Sequence, residues 1–205
     1  DVRQHDLGSD IVSRITDQHY LRSRQYRDAS KLNTRIQLHR RFSTNPQGWM
    51  SWLIDHLHLA DHHHVLDVGC GPGSLWQSPL AKLAPKARVT LLDLSEGMLI
   101  QARDNVSQRD DPFSFVLADA QAMPFADGRF DAVIAGHCLY HMPDRAQVLA
   151  EIRRVLEPGG SFYASTNGHN HMRELRDWMA AFDPGIDQID VADAFGLENG
   201  ANQLS

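Results

Sequence analysis

Three glycines at alternate positions follow an acidic side chain about one third of the way along the chain. Asp67 lies in the short apolar run 65–68 and precedes Gly69, Gly71 and Gly73. Glycine has no Cβ, so such a turn lets the backbone approach a ligand closely and adopt positive φ. The first N–H groups of a helix that starts after the turn would point back toward the strand. The pattern predicts a strand, a turn and a helix that together bind a ligand.

The spacing of these glycines separates two classes of cofactor site. A dinucleotide fingerprint is G-x-G-x-x-G, and its third glycine would stand where this chain has Ser74. The observed spacing is G-x-G-x-G. The difference argues against a nicotinamide-dependent oxidoreductase, which we keep as the less favoured enzyme class.

Other side chains that could do chemistry follow later apolar segments. Asp93 and Asp119 each end a segment of strand length, and His137 and His141 follow another. Ligands of parallel α/β sheets bind outside the C-terminal ends of the strands, where the strand order reverses. We therefore expect all four residues to lie near the glycine turn.

Strands and helices alternate along the middle of the chain, which predicts an α/β fold. The fold class is a Rossmann-like, doubly wound and mostly parallel sheet with an N-terminal helical extension. The expected strands are 65–68, 88–92, 113–117, 130–135 and 161–165. The expected helices are 74–84, one capped by Ser95, one capped by Asp144 with Gln147 in a capping box, and 171–182.

The chain divides into three parts on this interpretation. Residues 1–60 form an N-terminal helical lid or extension, with a break near 20–28 and a new helix starting at Asn45-Pro46. Residues 61–182 form the Rossmann-like core. Residues 183–205 are acidic and rich in turn residues, which predicts an irregular tail.

Composition limits the classes of partner. The net charge is −6, and 42% of the residues are hydrophobic. The excess of acidic residues lies in the core, which argues against a nucleic-acid partner. No apolar stretch approaches the ~20 residues of a membrane helix, so we expect no membrane partner. Cys70 and Cys138 are too few for a disulfide framework, so free thiols and a cytoplasmic location are expected.

Several motifs together resemble class I S-adenosylmethionine-dependent methyltransferases. The glycine turn resembles the first motif of that family, and Leu92-Asp93-Leu94-Ser95 followed by Met98 resembles the second. Ala118-Asp119-Ala120 and Phe130-Asp131-Ala132-Val133 resemble the third and fourth, and Arg154-Val155-Leu156-Glu157-Pro158-Gly159-Gly160 resembles the fifth. The similarity covers residues 62–182. It is nearest to the small-molecule enzymes of the ubiquinone and menaquinone biosynthesis type.

The resemblance implies S-adenosyl-L-methionine as cofactor and S-adenosyl-L-homocysteine as product. In such a site one carboxylate and the glycine turn hold the amino-acid end, a second accepts the ribose hydroxyls, and a third accepts the adenine amino group. The cofactor-binding residues implied are Asp67, Gly69, Cys70, Gly71, Gly73, Asp93, Leu94, Met98, Asp119, Ala120 and His137. Taken alone, Asp93 could instead neighbour a helix cap, and Met98 could instead be part of the core.

The acceptor side of the site is less well defined by the sequence. His137 and His141 are candidates for a catalytic base, for groups that orient the acceptor, or for a polar loop, and the absence of a third ligand argues against a metal. A lid would cover the sulfonium end of the cofactor and exclude water. The candidate substrate and lid residues are Tyr20, Tyr26, Arg35, His39, Tyr140 and His141.

The partner implied is a small-molecule methyl acceptor whose reacting atom, oxygen, nitrogen or carbon, stays open. A non-catalytic regulator or subunit with a methyltransferase-like fold is the alternative. The family's sheet has seven strands, and the last two have no counterpart after residue 182. We therefore expect either those missing strands or a second copy of the chain to cover the edge of strand 5.

Overall fold

The computed structural model describes residues 15–78, 81–110, 112–183 and 190–204. Five parallel strands form one sheet in the order β3-β2-β1-β4-β5, so the Rossmann-like fold class is confirmed. The strands are β1 (His64–Val68), β2 (Arg88–Asp93), β3 (Phe113–Leu117), β4 (Phe130–Gly136) and β5 (Leu156–Ser165).

Both faces of the sheet are covered, as expected for parallel strands. Alternate residues of one strand pack on opposite faces, since Leu66 joins one hydrophobic cluster and Val65 the other. The helices are α1 (Gln18–Tyr20), α2 (Ser30–Phe42), α3 (Trp49–Leu57), α4 (Glu96–Val106), α5 (Arg145–Val155), α6 (Arg173–Phe182), α7 (Val191–Phe195) and α8 (Gly200–Leu204). One cluster includes residues of α3 and α4, and the other includes residues of α5 and α7.

The strand order reverses between β2 and β4, which both pair with β1. The C-terminal end of β1 is therefore the switch point at which ligands of such sheets bind. The glycine turn begins directly after Val68, at that point. The topology places the predicted binding elements at one edge of the sheet.

Helix capping follows the sequence at two positions. Ser95 Oγ accepts the Met98 N–H at 3.3 Å, as predicted for the start of α4. Asp144 accepts the Gln147 N–H at 3.0 Å at the start of α5. The second half of the predicted capping box is wrong, because the Gln147 amide donates to the Gln121 carbonyl instead. The Asp144 N–H donates to the side chain of Gln121, so a distant loop completes this cap.

The predicted helix 74–84 is wrong in the part of it that is described. Residues 74–77 form turns, and residues 81–84 belong to neither a helix nor a strand. The guanidinium of Arg109 donates to the carbonyls of Trp76, Ser78 and Ala81 at 3.3, 3.1 and 2.9 Å. These carbonyls therefore have partners without a helical ladder, and Pro79 lacks the N–H that a helix interior needs.

The N-terminal helices differ from the expectation in detail. A π-helical segment, Leu21–Gln25, continues α1, and the break before α2 falls at residues 26–29. Helix α3 begins at Trp49 and not at Pro46, since the Asn45 side chain accepts the Gln47 N–H in a local turn. An Asn side chain that bonds two residues ahead favours a turn over a helix start.

The prediction of an irregular tail is wrong for residues 190–204, which include the helices α7 and α8. Asp190 caps α7 by accepting the Ala192 N–H at 3.0 Å. Phe195 is 2% exposed and packs into the core cluster with α5. The burial of Phe195 explains why this acidic segment, rich in turn residues, is ordered.

Strand β5 is longer than predicted, because it begins at Leu156 and includes the Pro158-Gly159-Gly160 segment. A bulge opposite 130–132 accommodates this segment. Proline and glycine are tolerated on edge strands and at bulges. Within the described residues β5 and β3 form the two edges of the sheet.

Candidate functional site

The glycine turn has the backbone conformation that its sequence predicts. Gly69, Gly71 and Gly73 have φ of +64°, +55° and +69°, which residues with a Cβ rarely adopt. A Cβ on Gly69 would lie 2.8 Å from the Cβ of Cys138, and one on Gly73 would lie 3.2 Å from that of Ala102. Gly69 and Gly73 thus serve both the turn and its close packing, against the segment after β4 and against α4.

Asp67 is buried beneath this turn and is only 5% exposed. Its Oδ2 accepts the indole N–H of Trp76 at 2.8 Å. Burial raises the pKa of Asp67 to about 7, against the opposing effect of the Trp76 hydrogen bond, and the nearby charge of Asp93 adds to the rise. A carboxylate in this setting gains strongly from a cationic ligand group.

Asp93 joins the glycine turn to the start of α4. Its Oδ2 accepts the Gly71 N–H at 2.9 Å and its Oδ1 accepts the Ser95 N–H at 2.8 Å. Burial raises the pKa of Asp93, although these backbone hydrogen bonds act in the opposite direction. Each carboxylate oxygen has two lone pairs, so further donors can still bind.

Asp119 follows β3 and lies in a polar cluster. Gln121 donates to it through both its backbone N–H and its side chain, each at 2.9 Å, and Gln18 of α1 donates its amide to Oδ2 at 2.7 Å. Partial burial acts to raise the pKa of Asp119, but these hydrogen bonds outweigh it and lower the pKa. The carboxylate is therefore ionised at neutral pH and is already accepting amide protons.

The other residues predicted at the cofactor site have different exposures. Leu94 and Cys70 are half-buried beside the turn, and Ala120 is buried at the end of β3. Met98 is 1% exposed, a position that favours its core role over contact with a ligand. Both Cys70 and Cys138 are free thiols, as expected.

The N-terminal segment 15–42 lies directly on the glycine turn and α4. The Tyr26 carbonyl accepts the Ser95 Oγ–H at 2.7 Å. A Cβ on Gly97 would lie only 1.9 Å from the Arg27 carbonyl oxygen, and Leu32 of α2 lies 3.7 Å from the corresponding position on Gly71. The segment therefore covers the elements that carry Asp93 and the glycines.

A tyrosine of this segment meets His141 of the core. The Tyr26 hydroxyl lies 2.7 Å from His141 Nε2, and His141 Nδ1 lies 2.8 Å from the Ile15 carbonyl oxygen. Arg35 donates to the Tyr26 hydroxyl at 3.3 Å. Burial lowers the pKa of His141 to about 4, with a smaller opposing effect from the Ile15 hydrogen bond. The predicted residues Tyr26, Arg35 and His141 thus come together.

His137 lies at the end of β4 in the left-handed region, with φ of +54°. Its ring packs edge-on against Trp49 of α3 at 4.8 Å. Burial lowers the pKa of His137 to about 4, and the neighbouring His171 and His39 act in the same direction. The His39 and His171 rings lie 5.5 Å apart. His39 therefore belongs to a group of rings with His137, His171 and Trp49. Residues in strained backbone conformations cluster at functional sites, although His58 and Lys86 also have positive φ outside the candidate site.

Two predicted substrate residues are less well placed for direct contact. Tyr140 is 8% exposed and packs edge-on against His141, so it supports that ring from within the core. Tyr20 is half-buried at the end of α1. The sequence did not point to Gln18, Trp49 or Trp76 as residues of the site, and no local pattern marks them.

Among the described residues no helix is long and apolar enough to cross a membrane. Over the same residues no group of three or more His, Cys, Asp or Glu side chains is arranged to hold a metal ion.

Comparisons with known proteins identify the domain. Residues 66–164 match the family model of a methyltransferase domain. The methyltransferase GfsG of Streptomyces halstedii is 45% identical over 112 residues, which cover 53% of this chain and 39% of that protein. Demethylmenaquinone methyltransferase of Symbiobacterium thermophilum is 37% identical over 119 residues, which cover 56% of this chain and 47% of that protein. The matched segments thus span less than half of these two relatives.

The fold comparison agrees with the family model. The crystal structure of a candidate methyltransferase from Bacillus halodurans has a TM-score of 0.56 and 25% identity, and the match covers 76% of this chain and 66% of that one. Residues 66–164 therefore form a methyltransferase domain with a Rossmann-like fold.

Proposed function

We propose that the protein transfers a methyl group from S-adenosyl-L-methionine to a small-molecule acceptor. The observation that carries the proposal is the position of three carboxylates. Asp67, Asp93 and Asp119 lie in or directly after β1, β2 and β3, which are neighbours in the sheet. Neighbouring strands are about 4.8 Å apart, so the three strand ends span about 10 Å, the scale of an extended nucleoside.

Each carboxylate suits one polar part of the cofactor. The buried Asp67 faces the ammonium group of the amino-acid end, beside the backbone of the glycine turn. Asp93 accepts the ribose hydroxyls, with Leu94 beside it. Asp119 accepts the adenine amino group, a role suited to a carboxylate that already binds the amide of Gln18. The backbone of Ala120 contacts the same edge of the adenine ring.

The methyl group then lies toward β4, where His137 follows the strand. The cofactor supplies an activated methyl group, so the protein's task is to position the acceptor and exclude water. We assign both tasks to the N-terminal segment, as a lid. Its contacts with Ser95, Gly97 and Gly71 support this assignment. His39 and Trp49 are proposed to shape the acceptor pocket.

The experiment is a screen for methyl transfer with S-adenosylmethionine carrying an isotopic label in its methyl group. Candidate hydroxyl, amine and carbon acceptors are incubated with the protein, and labelled products are separated by chromatography. We expect label in at least one small molecule, and much less label with Asp93→Ala at a cofactor concentration that does not saturate the variant. Cofactor binding without label transfer to any acceptor class would favour the non-catalytic regulator instead.

A further inference from the structure

The protonation of His141 follows from its two hydrogen bonds. The Ile15 carbonyl oxygen can only accept, so Nδ1 carries the proton of the ring. With the pKa of His141 near 4, the ring is neutral at physiological pH and Nε2 has a free lone pair. The Tyr26 hydroxyl, 2.7 Å from Nε2, must therefore donate to it. The structure thus fixes the direction of this hydrogen bond.

The Tyr26 hydroxyl oxygen also accepts a hydrogen bond from a cationic side chain, Arg35. Arg35 donates to it at 3.3 Å and its guanidinium carbon lies 5.8 Å from the centre of the tyrosine ring. One lone pair of the phenol oxygen remains for a third group. The Tyr26 carbonyl is bound by Ser95, two residues from Asp93, so the phenol lies between the ribose side of the proposed site and the 3₁₀ helix Leu139–His141 that follows β4.

We propose that Tyr26 and His141 form the proton-accepting pair for a hydroxyl acceptor, and that docking of the N-terminal segment assembles this pair. The proposal rests on the proposed methyl-transfer function. Tyr26 belongs to the lid and His141 to the core, so neither residue alone provides the arrangement. Tyr26 contacts the acceptor, and His141 acts through Tyr26 as a positioning and proton-storing residue.

The transfer step conserves atoms and charge. The acceptor oxygen attacks the methyl carbon, an O–C bond forms, and the S–C bond breaks with its electron pair left on sulfur. The acceptor's proton passes to the Tyr26 oxygen while the Tyr26 proton passes to His141 Nε2. The positive charge that leaves the sulfonium therefore ends on the imidazolium of His141. An oxygen that has just been methylated is a very strong acid, so even a weak base such as His141 can receive its proton.

The chain offers a matched control for the removal of one hydroxyl. Tyr163 of β5 makes a second tyrosine–histidine pair, with its hydroxyl 2.9 Å from His62 Nε2. His62 precedes β1, so the Tyr163 hydroxyl lies toward the N-terminal end of the sheet. Tyr163→Phe therefore makes the same chemical change as Tyr26→Phe at a position that the proposal does not use.

The first measurement is nitrogen NMR of the histidine rings in the complex with S-adenosylhomocysteine. We expect an unprotonated Nε2 on His141, and a change in its shift together with a higher pKa of His141 in Tyr26→Phe, because the donor to the neutral ring is lost. Tyr163→Phe should leave the His141 signals unchanged. A protonated Nε2, or His141 signals that are the same in Tyr26→Phe and the wild type, would overturn the pair.

The second measurement is methyl transfer to catechol, a small hydroxyl probe, at saturating S-adenosylmethionine. A base in the transition state contributes about 10²–10⁴-fold, so we expect kcat to fall at least ~100-fold in Tyr26→Phe, with the KM for the cofactor within about twofold of the wild type. A fall below about threefold, or a wild type that methylates amines but never catechol, would overturn the role. A wild type that binds no cofactor would contradict the proposed function instead, and calorimetry separates that result.

Discussion

Asp67 is a buried acid whose protonation should change when the cofactor binds. Burial raises its pKa to about 7, so the free protein holds a proton there at pH 6. A cationic ammonium beside the carboxylate lowers its pKa, and binding should release close to one proton at that pH. Calorimetry at pH 6 in buffers of different ionisation enthalpy measures this number, with S-adenosylhomocysteine as ligand.

Asp67→Asn is the control for that measurement, because the amide keeps an acceptor for the Trp76 indole but has no proton to release. Proton release should vanish in this variant. The same raised pKa lowers the free energy of unfolding as pH rises from about 4 to about 7, since the folded form binds more protons there. That decline should be smaller in Asp67→Asn. Equal proton release in both proteins would contradict the assigned contact.

Asp93 has a structural role as well as the proposed ribose contact. Asp93→Ala should weaken cofactor binding by about 2 kcal/mol, the scale of hydrogen bonds to a charged group. It should also lower the free energy of unfolding by about 1–3 kcal/mol, because the N–H groups of Gly71 and Ser95 lose their acceptor. Urea denaturation and calorimetry measure the two effects.

The exposed Asp104 of α4 is the matched control for Asp93. Asp104→Ala should change stability by less than about 0.5 kcal/mol and leave cofactor affinity unaltered. Normal cofactor affinity in Asp93→Ala, despite lower stability, would remove the ribose contact and leave only the structural role.

At the residue scale the sequence predicted the polar groups at the strand ends but not their neighbours. The motif residues Asp67, Asp93 and Asp119 could be predicted because local spacing sets them at strand ends. Trp76 and Gln18 could not be assigned, because their hydrogen bonds to Asp67 and Asp119 are set by tertiary packing. The Gln18 contact joins residues 101 positions apart.

At the element scale, Gly97 gives a direct test of the docked N-terminal segment. A Cβ there would lie 1.9 Å from the Arg27 carbonyl oxygen, so Gly97→Ala must displace residues 26–28. The same change favours α4 itself by about 0.5–1 kcal/mol, since alanine forms helices better than glycine. We expect faster amide hydrogen exchange in 18–42, with the sheet still protected, by mass spectrometry.

Gly48→Ala is the matched control, because a Cβ on Gly48 has no heavy atom within 4 Å. Amide exchange in 18–42 should be unchanged in that variant. In the wild type, cofactor should slow exchange in this segment, as expected for a lid, and the effect should be lost in Gly97→Ala. Protection by cofactor confined to 65–125 would contradict the lid and return the segment to scaffolding.

Helices were predicted correctly where a local sequence signal agreed with tertiary packing, and wrongly where tertiary packing overrode the local signal. Ser95 and Asp144 cap their helices as the sequence predicts, because an N-cap bond is local. The helix expected after the glycine turn is replaced by turns held by Arg109, a residue some thirty positions away. The tail is ordered by the burial of Phe195, which turn-residue composition could not indicate.

At the scale of the whole molecule, the strand order β3-β2-β1-β4-β5 determines which polar groups lie near one another at the site. It places Asp67 at the switch point, Asp93 and Asp119 on one side of it and two histidines on the other. The N-terminal segment contacts both sides. The alternation of strands and helices predicted a parallel sheet with these side chains near the ends of its strands, but it did not predict the full order of the strands. The contacts of the N-terminal segment could not be derived in the same way, since no strand register fixes them.

The central claim is that the glycine turn and its carboxylates bind S-adenosylmethionine. Titration calorimetry with S-adenosylhomocysteine and with NADH, on the wild type and on Asp93→Ala, tests it most directly. The account predicts binding of S-adenosylhomocysteine at one site per chain, about 30-fold weaker binding by Asp93→Ala, which corresponds to about 2 kcal/mol, and no binding of NADH. Tight NADH binding with no response to S-adenosylhomocysteine would contradict it.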